Sequence, residues 1–141
     1  MLQDRFVPPA GAFTRSVTVR FSHCDPAGIV YFPHYFDLFN GLIEDWYKEE
    51  LGYDYAELVM GSRFGFPFVH LDCDFKIPSR MGEEIHLTVM VDRIGRSSLT
   101  FAVAGRVGER LIYEGELTCV FVTRSTGRSI PIPEVYRAKL A

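Results

Sequence analysis

The hydrophobic period of this chain changes twice, and that limits the folds open to it. From Ser16, Val17, Val19 and Phe21 alternate with Thr18, Arg20 and Ser22, the pattern of a half-buried strand. Tyr35, Leu38, Phe39, Leu42, Ile43, Trp46 and Tyr47 then recur every three or four residues, which predicts a helix with a wide apolar stripe. Pro33 suits the first turn of that helix, and Gly52 suits the position just past its end. Gly41 lies inside it at a propensity cost of about 1 kcal/mol, which close packing on a sheet would explain. After a mixed connection over 53–65, the period returns to two. Val69–Ile77, Ile85–Asp92, Leu99–Ala104 and Leu111–Phe121 each read as a strand. Gly95 and Gly108 mark tight links, so the last three strands form an antiparallel meander. Pro131–Tyr136 suggests the start of a short helix. The order is strand, long helix, four strands. This is a two-layer α+β domain, with one long helix packed on a five-stranded antiparallel sheet.

Size and composition narrow the class further. A chain of 141 residues is expected to make one domain. Residues 1–14, with Pro8, Pro9 and Gly11 and no period, read as a flexible arm, and 15–141 as the domain. A net charge of −3 argues against nucleic-acid binding, which needs a strong basic field. No apolar run reaches the ~20 residues that span a bilayer. The early Asp4 and Arg5 do not suit a secretory leader. Cys24, Cys73 and Cys119 show no metal-ligand or disulfide spacing, so a reducing cytoplasm is the expected compartment. One helix covers only one face of a large sheet, and self-association is the usual cover for the rest.

The most informative stretch is Asp25-Pro26-Ala27-Gly28-Ile29-Val30-Tyr31-Phe32-Pro33. A carboxylate leaves a strand, a short loop follows, and a helix begins. The first N–H groups of a helix lack internal partners and sit at the positive end of its dipole. They suit an anion, including the oxyanion of acyl transfer. The competing reading is local: Asp-Pro is common turn chemistry, and Asp25 then only caps the loop.

The segment Phe21–Phe36, FSHCDPAGIVYFPHYF, resembles the active-site motif of hot-dog-fold acyl-CoA thioesterases of the 4-hydroxybenzoyl-CoA thioesterase type. The order of elements over residues 16–137 is also similar. The resemblance implies that Asp25 is the catalytic carboxylate, either attacking the thioester carbonyl or activating water. It implies that the Phe32 N–H polarises the thioester oxygen, since Pro33 has no N–H, and that Gly28 lets the loop approach the substrate closely. The hairpin Arg93–Ser98 matches a nucleotide-binding connection of related enzymes. Here it offers Arg96, Ser97 and Ser98, with Arg124 and Arg128 as further phosphate candidates. Tyr31, Phe32, Tyr35, Phe64, Phe66 and Phe68, around the motif and the entry to the second strand, sort less cleanly into core stripes than Phe36, Phe39, Trp46, Phe75, Phe101 and Phe121. The less clean set is a candidate acyl pocket, and Asn40 is a candidate reader of a polar group on the acyl part.

Other candidates carry less. His34 lies two residues past the place where some family branches hold a histidine. His70, Asp72 and Asp74 share a strand face, but such a stripe is more often solvated than metal-binding, and no metal ligand is assigned. Cys24 has no evident histidine base. The expected function is hydrolysis of an acyl-CoA, preferentially an aromatic one such as 4-hydroxybenzoyl-CoA, with no cofactor beyond the coenzyme A of the substrate. The expected assembly is a homodimer or homotetramer with sites between subunits. A non-catalytic acyl-CoA or acyl-carrier binding module on the same fold is the alternative. A hydratase is a third reading, weakened because only His23 and His34 lie near the motif.

Overall fold

The computed structural model describes residues 12–140. Strand β1 (Phe13–Thr18) leads through a 3-10 turn (Phe21–His23) and the Asp25 loop into helix α1 (Pro33–Leu51). Next come α2 (Tyr55–Gly61), β2 (Phe64–Gly65), β3 (Phe68–Phe75), β4 (Glu84–Ile94), β5 (Ser98–Val107), β6 (Arg110–Val120), β7 (Val122–Thr123) and α3 (Glu134–Leu140). The five long strands form one antiparallel sheet in the order β1-β4-β5-β6-β3, and β2 pairs with β7 in a small ribbon. This is the α+β hot-dog arrangement, with α1 lying along the sheet. The periods in the sequence locate the five long strands and the helix, although β5 is buried on both faces and β3 buries neither.

The helix stripe packs as its period requires. Tyr35, Phe39, Leu42, Ile43, Trp46 and Tyr47 are all buried. Their main counterpart is Tyr113 of β6, which stacks on Phe39 (centroids 4.8 Å apart) and Tyr35 (5.3 Å), while Trp46 meets Phe101 of β5 edge-on at 5.2 Å. Offset and edge-on pairs at these separations add to the area term. Gly52, at φ 76°, ends the helix in the left-handed conformation, where its N–H reaches the Lys48 and Tyr47 carbonyls.

Four features differ from the sequence reading. First, β1 begins at Phe13, so Phe13 and Thr14 belong to the sheet rather than to an arm; residues 1–11 lie outside the described residues. Second, Phe21 leaves the strand face and is 82% exposed, because β1 stops at Thr18 and the chain turns. Third, the 53–65 connection holds α2, whose N-cap Asp54 accepts the Glu57 N–H. Fourth, a Cβ on Gly41 would meet nothing within 4 Å among the described residues, so close packing on the described sheet does not account for that glycine.

Gly115 of β6 is the glycine that packing demands. A Cβ there would lie 2.5 Å from the Asp72 carbonyl oxygen and 2.6 Å from Cys73 Sγ on the adjacent β3. Gly115→Ala is therefore expected to lower stability by about 1–3 kcal/mol through overpacking, read as a reduced midpoint in thermal or urea unfolding.

Candidate active site

The Asp25 loop is held by backbone bonds to two other segments. Within it, the Asp25 N–H donates to the Ile29 carbonyl (3.0 Å) and the Gly28 N–H to the Asp25 carbonyl (3.0 Å). Asp25 Oδ1 accepts the Ala27 N–H at 2.8 Å. The turn chemistry that Asp-Pro suggested is thus present, and it orients the carboxylate. Gly28 sits at φ 78°, in the left-handed region. The segment between β3 and β4 straps the loop from outside: Val30 N–H donates to the Ser79 carbonyl (2.8 Å), and Met81 N–H to the Gly28 carbonyl (3.1 Å). The end of β1 joins the same strap through Val19 N–H to Glu83 and Gly82 N–H to Val19, both 2.8 Å.

The start of α1 is tightened in a way that selects one donor. His34 N–H bonds to the Tyr31 carbonyl and Tyr35 N–H to the Phe32 carbonyl, while Tyr31 N–H bonds to His23. Pro33 has no N–H. Among the described residues, the Phe32 N–H donates no hydrogen bond within the chain, so it is the amide left over at this corner.

Two depressions flank the loop. One, of about 320 Å³, is lined by Phe21, Cys24, Asp25, Pro26, Gly28 and Met81. The other, of about 360 Å³, runs along Ile29, Val30, Phe32, Tyr35 and Phe75–Pro78. Asp25, Gly28, Phe32 and Tyr35 are therefore gathered by the fold, with Tyr31 beside them in edge contact with Phe32. Asn40 and Phe68 line a third depression of about 310 Å³ with Phe36, Asp37, Leu71 and Leu117.

Phe66 does not join them. It packs on Tyr47, Tyr55, Phe64 and Phe121. Tyr47 is twelve residues along α1 from Tyr35, or roughly 18 Å at the helical rise. Phe66 is a partly buried residue packed on the core at the far end, and within one chain it stands apart from the Asp25 loop. Arg96, Ser97 and Ser98 also lie at that end. β4 spans roughly 30 Å between the strap beside the Asp25 loop and this hairpin. The fold does bring the phosphate candidates together there: the Arg128 carbonyl accepts the Thr123 N–H, the Arg63 carbonyl accepts the Arg124 N–H, and Arg137 donates to the Gly95 and Arg96 carbonyls. Arg63 and Arg137 were not foreseen, because they are scattered in sequence.

The weaker candidates resolve differently. His23 Nδ1 accepts the Arg20 N–H at 3.0 Å, and its ring lies 6.2 Å from that of His34, so both histidines stand at the mouth of the loop. Cys119 is buried, which pushes its thiol up to about 12 and makes it a poor nucleophile. Tyr113 donates to Cys73 Sγ at 2.7 Å, and burial holds its phenol well above the usual range. The stripe of His70, Asp72 and Asp74 faces β6, where Glu114 pairs with Lys76 and Glu116 with Arg93, both at 3.2 Å. Among the described residues no acidic, cysteine and histidine group has the geometry of a metal site.

A carboxylate oriented by an Asx turn, a leftover amide at a helix start and apolar depressions on both sides form a site suited to acyl transfer. Residues 19–140 match the thioesterase-like superfamily, and the chain belongs to it. Among its relatives is the 1,4-dihydroxy-2-naphthoyl-CoA hydrolase of Nostoc punctiforme, 25% identical over 126 residues that cover 87% of this chain and 82% of the relative. A solved thioesterase-superfamily structure from Jannaschia sp. CCS1 is 31% identical, with a TM-score of 0.85 over 99% of this chain and 96% of its own. A solved gentisyl-coenzyme A thioesterase is 25% identical, with a TM-score of 0.79 over 88% of this chain and 98% of its own.

Gly28→Ala forces a β-carbon into the left-handed region at a cost of about 1–2 kcal/mol. The expected result is a protein that still folds, melts earlier and loses protection of the Asp25 and Gly28 amides in hydrogen exchange.

Proposed function

We propose that this protein hydrolyses the thioester bond of an aromatic acyl-coenzyme A, releasing the acid and coenzyme A. The observation that carries the reading is that Asp25 and Phe32, whose N–H donates no hydrogen bond among the described residues, stand at the two ends of one short loop. Asp25 Oδ1 is engaged by Ala27, so Oδ2 is the oxygen left to act, as nucleophile or as base for water. The Phe32 N–H would receive the carbonyl oxygen as it gains negative charge, at a position that the helix dipole also favours. Coenzyme A enters as part of the substrate, and the chemistry asks for no other group.

The aromatic preference rests on the wall beside Phe32. Tyr35 and Phe75 stand there, and a flat ring packs well against such faces. Resemblance of the motif to the 4-hydroxybenzoyl-CoA type and the relatives' hydroxylated aromatic substrates support the same class. 4-Hydroxybenzoyl-CoA and 1,4-dihydroxy-2-naphthoyl-CoA are therefore the first substrates to assay.

The site is completed by a second copy. Strand β3 is a sheet edge, and it leaves Val69 (60%), Leu71 (48%) and Phe75 (46%) exposed. These belong to the apolar row that the alternation predicts to be buried. An apolar strand at the margin of the described sheet calls for cover, and two identical edges related by a two-fold axis pair antiparallel. That pairing sets the Phe75 end of one chain beside the Phe68 end of the other. It brings Asn40 and Phe68 of the second copy toward the Asp25 loop of the first. It also carries Arg96, Ser97 and Ser98 of the second copy to the same end of the joined sheet. The residues that one subunit keeps apart then converge.

Turnover is measured by thiol release over a panel of acyl-CoAs. Asp25→Asn is expected to lower kcat by about 10²–10⁴-fold with the thermal midpoint held within a few degrees; near-normal turnover in this variant sinks the assignment, and acyl-CoA binding without thiol release by the native protein identifies a binding module instead. Leu71→Lys tests the assembly. Sedimentation is expected to show a monomer in place of a dimer or larger species, with thiol release lost in parallel. An active Leu71→Lys monomer contradicts the shared site.

A further inference from the structure

We infer that His23 is a further catalytic residue, whose Nε2–H donates a hydrogen bond to the thiol sulfur as it departs. The inference rests on the hydrolase reading above and adds a second donor to that site.

The tautomer of this histidine follows from its other ring nitrogen. The Arg20 N–H donates to His23 Nδ1 at 3.0 Å, so Nδ1 presents a lone pair and carries no proton. The ring is then neutral, with its one proton on Nε2. Among the described residues Nε2 makes no hydrogen bond. The Arg20 contact closes a capping box on the turn Phe21–His23, and the His23 N–H bonds to the Arg20 carbonyl at 2.9 Å. The imidazole is therefore tied both at its root and at one ring atom. A cap alone is served by Glu or Gln at this position, through one acceptor oxygen. An imidazole does the same and adds a fixed donor on its far side.

That donor stands between the two parts of the site. Cys24 pairs with Val30 in an antiparallel bridge, flanked by Tyr31 N–H on the His23 carbonyl (2.9 Å) and Asp25 N–H on the Ile29 carbonyl (3.0 Å). Along such an extended segment alternate side chains share a face. His23 and Asp25 thus project to one side and Cys24 to the other, with roots roughly 6–7 Å apart. The His23 ring also lies 6.2 Å from that of His34, on the first turn of α1 just past Phe32. Hydrolysis puts negative charge on two atoms of the thioester. Asp25 Oδ2, or water that it activates, bonds to the carbonyl carbon, and the oxygen gains charge opposite the Phe32 N–H. The C–S bond then breaks and its electron pair goes to sulfur; the water consumed supplies the proton of the free thiol. With the acyl ring on the wall of Phe32, Tyr35 and Phe75, the sulfur lies on the other side of the carbonyl, where the 23–25 segment runs. A donor fixed there in advance needs no reorganisation as the charge appears. A neutral imidazole donates without surrendering its proton, since losing it leaves an anion.

The test places one aromatic acyl group on coenzyme A, N-acetylcysteamine and thiophenol. The aryl thiol leaves readily without a donor, because its ring spreads the charge of the sulfur; the two alkyl thiols do not. His23→Gln keeps an acceptor for the Arg20 N–H, so the turn survives. It is expected to lower kcat/KM by about 10²-fold on both alkyl esters and by less than about threefold on the aryl ester, with the thermal midpoint held within a few degrees. His23→Leu, which loses cap and donor together, is expected to show the same contrast between esters, and His34→Gln to show none. Equal losses on all three esters overturn the inference. So does a loss on the coenzyme A ester that the N-acetylcysteamine ester does not share, which marks lost binding. Nitrogen NMR of the ring reads the tautomer directly, and a proton on Nδ1 overturns the inference as well. A native protein inactive on every ester overturns the hydrolase reading and this inference with it. An active one whose His23 variants ignore the leaving group overturns the inference alone.

Discussion

The contact on which the rest of the molecule depends is the aromatic layer between α1 and the sheet, centred on Tyr113. This residue is wholly buried and meets Tyr35, Phe39, Phe36 and Phe75. Rings of this size interlock at few depths and angles, so they fix where α1 lies along β6 and how far its first turn projects past the sheet. The proposed chemistry depends on that first turn. Were α1 to slide by one turn, the Phe32 amide would shift relative to the Asp25 loop.

From that anchor the site is built by subtraction. Pro33 removes one donor, the tight first turn uses those of His34 and Tyr35, and His23 takes that of Tyr31, so the Phe32 N–H remains. Asp25 is likewise narrowed, because the Asx turn claims one oxygen. In the proposed reaction a local capping device and the reactive group are the same residue. The turn reading and the catalytic reading of Asp25 are complementary, since a carboxylate must be held still before it can act.

Much of the fold was legible because it repeats locally. A strand that buries one face alternates, and a helix that buries a stripe recurs at 3.6, whatever lies on the other side. The motif was legible too, as a continuous run with unusual loop chemistry. What escaped were distinctions that depend on position in the sheet. Phe75 and Leu71 alternate as regularly as Phe101 and Leu99, yet β3 is an edge and β5 is central, so the first pair remains exposed and the second is buried. Phe66 and Phe68 are neighbours in sequence but face different surroundings, Phe66 packing on Tyr47 and Phe121 and Phe68 lining the depression with Asn40. Phe21 kept the alternation of β1 after the strand itself had ended.

The amino-acid sequence by itself determined the element types, their order and the carboxylate-loop-helix unit, because these rest on contacts between residues close along the chain. The tertiary structure decided which strand became the open edge. It also decided which amide stayed available, which aromatics faced the loop, and that Arg63, Arg96, Arg124, Arg128 and Arg137 gather at the end of the subunit opposite Asp25. Those outcomes depend on strand order and on the strap from Ser79 to Glu83, where residues far apart in sequence meet. No local period carries that information, because the free energy that selects it is shared among contacts made only once the sheet has closed on α1.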